Sequence, residues 1–198
     1  MLLNHLTFCL SCKTRKEIDV RNVKMNVNVT ITPETKEDFD GITRLHNLAF
    51  NQTEEGELVE RLRKTSKFIP DLSLVAKIEK DVIGHILFYP IKINTETGKR
   101  NSLALAPMSV HPEYQKKGIG SSLIRKGLAT AKRLGFHSVI VIGHSSYYPK
   151  FGFKPANRWD INPPFNVPDD VFFAVELTKN GLKDCGGTVE YPKEFKML

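Results

Sequence analysis

Cysteine is scarce in this chain, with three in 198 residues. That is too few for a disulfide framework and fits a reducing compartment. Cys9 and Cys12 form a lone Cys-x-x-Cys with His5 nearby, but a tetrahedral zinc site needs further ligands at suitable spacing and no second pair follows, so no metal is expected. Long apolar runs are also missing: none approaches the roughly 20 residues of a membrane-spanning helix. The stretch from Met1 to Cys12 lacks the basic start, the apolar length and the small-residue cleavage site of a secretory signal. These absences predict a cytoplasmic protein with no membrane partner. Charge of one sign is only mildly in excess, at +7, and the five basic and two acidic residues of 1–24 account for +3 of it. The remaining excess suits a small anionic ligand and is too weak to demand nucleic acid; no pattern of stacking aromatics argues for it either.

What is present describes one ordinary domain. Hydrophobic residues make up 40% and charged residues 26% of the chain, with no internal repeat or low-complexity block. Residues 1–24 lack sustained periodicity and read as a poorly ordered tail, and the domain spans 25–198, with Met25 a candidate start. Alternation over Asn26 to Ile31 predicts a strand. Thr32-Pro33-Glu34 reads as a helix cap with proline in the first turn, followed by Phe39, Ile42, Leu45 and Leu48 at helical spacing. A second helix is predicted over Glu54 to Lys64. Strands follow over Leu72 to Ile78, Val82 to Ile93 and Leu103 to Val110. The fourth strand contains Pro107, which belongs at an edge, a bulge or a place where strands part. The stripe from Gly120 through Leu123, Ile124, Gly127 and Ala131 marks a helix over Gly118 to Leu134, stopped by Gly135. Val139 to Ile142 suits a buried parallel strand. A short helix over Ser146 to Phe151 and strands at Val171 to Leu177 and Thr188 to Tyr191 complete an α/β (α+β) domain with one sheet covered on both faces.

Chemistry concentrates in Val110-His111-Pro112-Glu113-Tyr114-Gln115-Lys116-Lys117-Gly118-Ile119-Gly120, which runs from a strand end into a helix start. Gly118 and Gly120 let backbone amides approach a ligand without side-chain obstruction. The unpartnered first-turn N–H groups and the helix dipole favour an anion, and Lys116 and Lys117 add charge. A basic loop whose glycines merely turn the chain would read the same way locally. A P-loop is excluded by its missing signature. A dinucleotide fingerprint is excluded because Leu123 stands where its third glycine belongs and no acidic residue follows the next strand.

Gln115-x-x-Gly118-x-Gly120 resembles the Gln/Arg-x-x-Gly-x-Gly/Ala signature of the GNAT acetyltransferases. Tyr148-Pro149-Lys150-Phe151-Gly152-Phe153 resembles their Tyr-x-x-x-Gly-Phe segment. Leu105 to Val110, the doubled Tyr147-Tyr148 and the stretch through Gly187, Val189, Tyr191 and Phe195 are similar to the YhbS-like branch. The resemblance implies a mixed, mostly antiparallel sheet of six to seven strands, splayed between the fourth and fifth, with helices on both faces. It implies acetyl-CoA as cosubstrate, its pyrophosphate held by Gln115, Lys116, Lys117, Gly118, Ile119, Gly120 and Ser121, and its pantetheine arm along Met108, Ser109 and Val110. It also implies an N-acetyltransferase acting on a primary amine by direct attack in a ternary complex. A non-catalytic acyl-CoA-binding regulatory module is the alternative, and a homodimer stays open.

The family position makes Tyr148 the expected general acid, its other reading being packing in an aromatic cluster. Many relatives place a glutamate on the fourth strand, but Leu103 to Val110 contains no acid. His144, at the end of the fifth strand, is the expected base, its other reading being a capping or solvent-facing residue. His85, in mid-strand, and His111, in the loop, are weaker candidates, and water or no base at all would also serve. Cys185 lies beyond the motifs, so a covalent cysteine intermediate is not expected. The first two helices and the loop after Phe153 are expected to shape the acceptor site.

Overall fold

The computed structural model describes residues 28–197. The predicted tail 1–24 lies outside the described residues, as do Cys9 and Cys12. Strand β1 spans Val29–Pro33 and pairs antiparallel with β2, Ser73–Ile78. Between them lie helices α1, Phe39–Phe50, and α2, Glu54–Arg63. Here the sequence reading needs correction. Pro33 does not open a helix but closes β1, paired with Leu74. Because β1 is an edge strand, a residue without an N–H donor is tolerated there. The turn before α1 is instead capped by Thr35, whose N–H donates to Asp38 Oδ2 at 2.9 Å.

β2 turns through Glu79, in the left-handed region at φ 54°, into the long strand β3, Asp81–Thr95. β4, Gly98–Val110, returns antiparallel to β3. Helix α3, Ile119–Arg133, crosses over to β5, Ser138–Ile142, which lies parallel to β4. Two two-residue strands, β6 (Lys154–Pro155) and β7 (Ile161–Asn162), precede β8, Phe172–Glu176, and β9, Gly187–Glu190. The main path of the sheet is β1-β2-β3-β4-β5-β8-β6, and β9 pairs with the far half of β3 and with β7. The sheet is thus mostly antiparallel, with seven strands of four residues or more.

Alternation along β3 assigns the two faces. Ile86 and Phe88 face the α3 layer with Leu103, Leu123, Ile124 and Val139. Leu87 and Tyr89 face α1 and α2 with Ile42, Leu58, Val59 and Leu62. Each fully buried side chain of this size contributes about 1.5–3 kcal/mol relative to exposure.

Two irregularities open the sheet. Ile86 pairs with Met108 and Phe88 with Leu105, so Ala106 and Pro107 together face Leu87 in a bulge. Parallel pairing of β4 with β5 is confined to Leu103↔Val139 and Ala104↔Ile140, after which the strands part. The proline expected to mark a break in pairing stands at that break. Among the described residues no helix is long and apolar enough to cross a membrane.

Candidate active site

Beyond the point where β4 leaves β5, a cleft of about 610 Å³ runs against the start of α3. Met108, Ser109 and Val110 of β4 form one wall, and the segment from Gln115 to Ser121 forms another, with every predicted position in contact except Lys117. Lys117 lies instead over the Tyr114 ring, Nζ at 5.1 Å from its centroid. The loop owes its shape to two left-handed residues, Lys116 at φ 59° and Gly118 at φ 87°. The first bond closing onto α3 is donated by Ser122 N–H to Gly118 O at 3.0 Å. The N–H groups of Ile119, Gly120 and Ser121 therefore precede the helical ladder, and no acid stands in the first turn to oppose an anion. Gln115 Nε2 donates to Val110 O at 3.1 Å and ties the loop back to the strand end.

Gly120 matters for space. A Cβ there would stand 2.8 Å from Tyr147 Oη, so the phenol lies against the opening turn of the helix. Tyr147 lines the cleft, Lys150 Nζ sits 3.8 Å from the centroid of its ring, and Lys150 lines the cleft as well. Tyr148 is buried beside it, edge-on to Tyr147 with centroids 5.4 Å apart and to Phe153 at 5.5 Å. Tyr148 is not among the cleft-lining residues. Burial, aided by Tyr147, pushes the Tyr148 phenol up to about 12. His144 is exposed in the turn after β5, and its carbonyl accepts from Tyr147 N–H at 3.0 Å. The structure does not bring its side chain into the cleft.

A second cavity, of about 1070 Å³, borders the opening between the strands. Leu105 and Ala106 of β4 and Ile140 to Ile142 of β5 form its inner side, and Phe165, Tyr191 and Phe195 an aromatic wall. Phe165 stacks on Tyr191 at 6.0 Å and Tyr191 meets Phe195 at 5.3 Å. Burial raises the Tyr191 phenol. The two cavities thus use successive stretches of β4, one before Pro107 and one after it.

Sequence reasoning missed three cleft-lining residues and gave little weight to a fourth residue that lies outside the cleft. Tyr147 was visible only as half of a doubled tyrosine. Ala49 and Phe50, at the end of α1, reach the cleft through the packing of α1 on the sheet. His85, ranked low for lying mid-strand, is fully buried and hydrogen-bonded to His46 of α1 at 2.8 Å. No local pattern joins residues 39 positions apart.

A family model for the GNAT acetyltransferase domain matches residues 30–156. YjhQ of Escherichia coli K12, an uncharacterised N-acetyltransferase, is 36% identical over 136 residues, covering 68% of this chain and 75% of its own length. Among solved structures, the E. coli GNAT family N-acetyltransferase YhbS in complex with CoA superposes with a TM-score of 0.79 at 27% identity, over 86% of this chain and 93% of that one. A Brucella melitensis GNAT family acetyltransferase in complex with acetyl-CoA gives 0.70 at 30% identity, over 85% and 99%. The motif residues, the parting of β4 from β5 and these relationships agree: the chain belongs to the GNAT acetyltransferase family.

Proposed function

We propose that this protein is an acetyl-CoA-dependent N-acetyltransferase that transfers the acetyl group to a primary amine by direct attack in a ternary complex. The observation that carries this reading is the cleft joining the free amides of the α3 start to the end of β4 that β5 has left. The residues present fit the cosubstrate. Free N–H groups of Ile119, Gly120 and Ser121, with Lys116 and Lys150 beside them, suit a diphosphate. Met108, Ser109 and Val110 offer strand backbone on the side that β5 has left, suited to an extended amide-bearing arm. Both relatives described above with a bound ligand hold CoA or acetyl-CoA.

Acetyl-CoA supplies an acetyl group activated as a thioester. The protein's part is to hold donor and acceptor together, which can lower the barrier by up to about 7–11 kcal/mol. The second cavity suits the acceptor because it borders the same strand opening, and its aromatic wall favours an amine with an apolar body. Tyr148 stands in the family's tyrosine position, and its raised pKa keeps the phenol protonated and able to give a proton to sulfur. His144, exposed outside the cleft, is left with a solvent-facing role.

Calorimetric titration of acetyl-CoA into wild type and Gly120→Glu tests the reading. The glutamate would place a carboxylate between the helix start and Tyr147, against the proposed diphosphate. Binding by wild type that is lost in the variant is expected. Folded wild type that binds no acetyl-CoA would overturn the assignment. Tight binding with no transfer to any amine would point to a regulatory module.

A further inference from the structure

We propose that the acceptor is a weakly basic amine on an apolar body, which enters the aromatic-walled cavity at the strand opening as the neutral base and needs no proton acceptor of the protein. The inference rests on the transferase reading and on that cavity holding the acceptor.

Attack on a thioester needs the free electron pair of nitrogen, so an ammonium must lose a proton before it reacts. The groups near the opening are each committed elsewhere. β4 carries no acid between Leu103 and Val110, and His144 is exposed and lines neither cavity. Among the described residues that line the acceptor cavity, three ionise: Glu190, Tyr191 and Lys193. Glu190 is exposed and takes a hydrogen bond from Lys99 Nζ at 2.6 Å. Lys99, with Asn94, holds its carboxyl below the usual range, which makes it a weak proton acceptor. Tyr191 keeps its own proton, because burial raises the phenol. Lys193 brings an ammonium, which repels a second one.

The rest of the lining favours the neutral form as well. Leu105, Ala106 and Ile142 give an apolar surface on the side of the opening, across from the aromatic wall. Taking an ammonium out of water into such surroundings is costly unless it meets an opposite charge, so the amine enters without its proton. The amines that are neutral in quantity near pH 7 are the weakly basic ones. An α-amino group, with a pKa of about 7.7–8.0, is then neutral roughly 300 times as often as a lysine-like alkylamine at about 10.4. A polyamine would carry several charges into a cavity whose acid is already paired, and fits poorly. The volume of about 1070 Å³ leaves room for an aromatic or branched body beside the amine.

In the step, the neutral nitrogen bonds to the acetyl carbon and the carbon–sulfur bond breaks. The nitrogen loses one proton as the amide forms and the sulfur gains one as it leaves. The two balance, so no proton is left over for a base to hold.

The test compares phenylalaninamide with phenethylamine, which share a phenyl body and differ in the basicity of the amine. For each, kcat/KM is measured with wild type at saturating acetyl-CoA from about pH 6 to about pH 10. We expect each profile to rise about tenfold per pH unit and to bend at the pKa of its own amine. Near neutral pH phenylalaninamide should be favoured at least about 10-fold. A bend at one common pH for both amines would reveal a base on the protein and overturn the proposal. So would preference for phenethylamine or spermidine near neutral pH, or transfer to neither probe by a protein that binds acetyl-CoA. Ile142→Asp sets a carboxylate at the opening, on a side chain already exposed. It should keep acetyl-CoA binding and narrow the preference for phenylalaninamide about 10-fold, because an ammonium then has a partner. An unchanged preference in that variant would overturn the placement of the acceptor. Failure of wild type to bind acetyl-CoA is instead failure of the transferase reading.

Discussion

Tyr147 and Tyr148 are neighbours in sequence, yet their surroundings give them different work. Tyr147 lines the cleft beside Gly120 and Lys150, whereas Tyr148 is buried edge-on against Phe153 with a phenol pushed up to about 12. A phenol so shifted stays protonated at neutral pH but is the weaker acid for it, so its proton is given only as thiolate charge develops on the departing sulfur. Replacing Tyr148 with Phe keeps the ring packing and removes the proton. Turnover is expected to fall about 100-fold with acetyl-CoA affinity unchanged, measured by steady-state kinetics beside calorimetry. Full activity in that variant, with loss in Tyr147→Phe, would transfer the acid role to the neighbour. The motif gave the position of Tyr148 but could not say which ring faces the cleft, because that depends on how the turn after β5 packs against α3.

At the scale of elements, α3 was the most legible part of the chain and also shows how closely it sits on the sheet. Its apolar stripe, the left-handed Gly118 and the stop at Gly135 are local signals, and helix Ile119–Arg133 falls within the predicted bounds. Gly127 has a further role that periodicity does not reveal. A Cβ there would lie 2.0 Å from Phe88 Cε2, in a ring that is fully buried. Gly127→Ala gains about 1 kcal/mol of helix propensity but must displace core ring atoms, and overpacking of this kind costs about 1–3 kcal/mol. A lowered Tm in thermal unfolding is expected, and relief of it by Phe88→Leu would trace the loss to this contact. Thr32-Pro33, by contrast, misled as a helix signal. Proline fits a first helical turn and an edge strand equally well, and only the pairing of β1 with β2 decides between them. The two-residue strands β6 and β7 carry no periodicity to read.

For the whole molecule, the buried polar cluster under α1 and α2 links acidity to stability. Burial alone would raise the Glu34 carboxyl, but hydrogen bonds from His85, Arg63 and Ser73 outweigh it and lower it to about 2, from an ordinary 4.5. A carboxylate depressed in the fold contributes stability above its unfolded pKa and loses it as pH falls toward the folded one, here from 4.5 to about 2. His46 and His85, held neutral by burial, act sooner. The unfolded chain takes up their protons below 6.5 while the fold resists, so stability falls as pH drops through that value. The slope is about 1.4 kcal/mol per pH unit for each histidine that stays neutral. Urea unfolding should therefore show wild type losing stability below neutral pH, with a shallower loss in His46→Gln between about pH 6.5 and about pH 5. Equal slopes in the two proteins would contradict a neutral buried His46.

The sequence by itself determined the order of the longer elements, the anion-ready loop at Gln115–Gly120 and the family, because each is written in residues adjacent along the chain. Backbone preference, hydrophobic period and motif spacing are local properties, and they survive without knowledge of the fold. Only the tertiary structure decided which residues share the cleft. Phe50 comes from α1, Ser109 from β4 and Tyr147 from the turn after β5, and the Glu34–Ser73–His85–His46 chain draws on four separate segments. Burial and hydrogen-bond distance depend on pairwise placement in space, and for the cleft the parting of β4 from β5 after Ala104 and Ile140 opens the room between them.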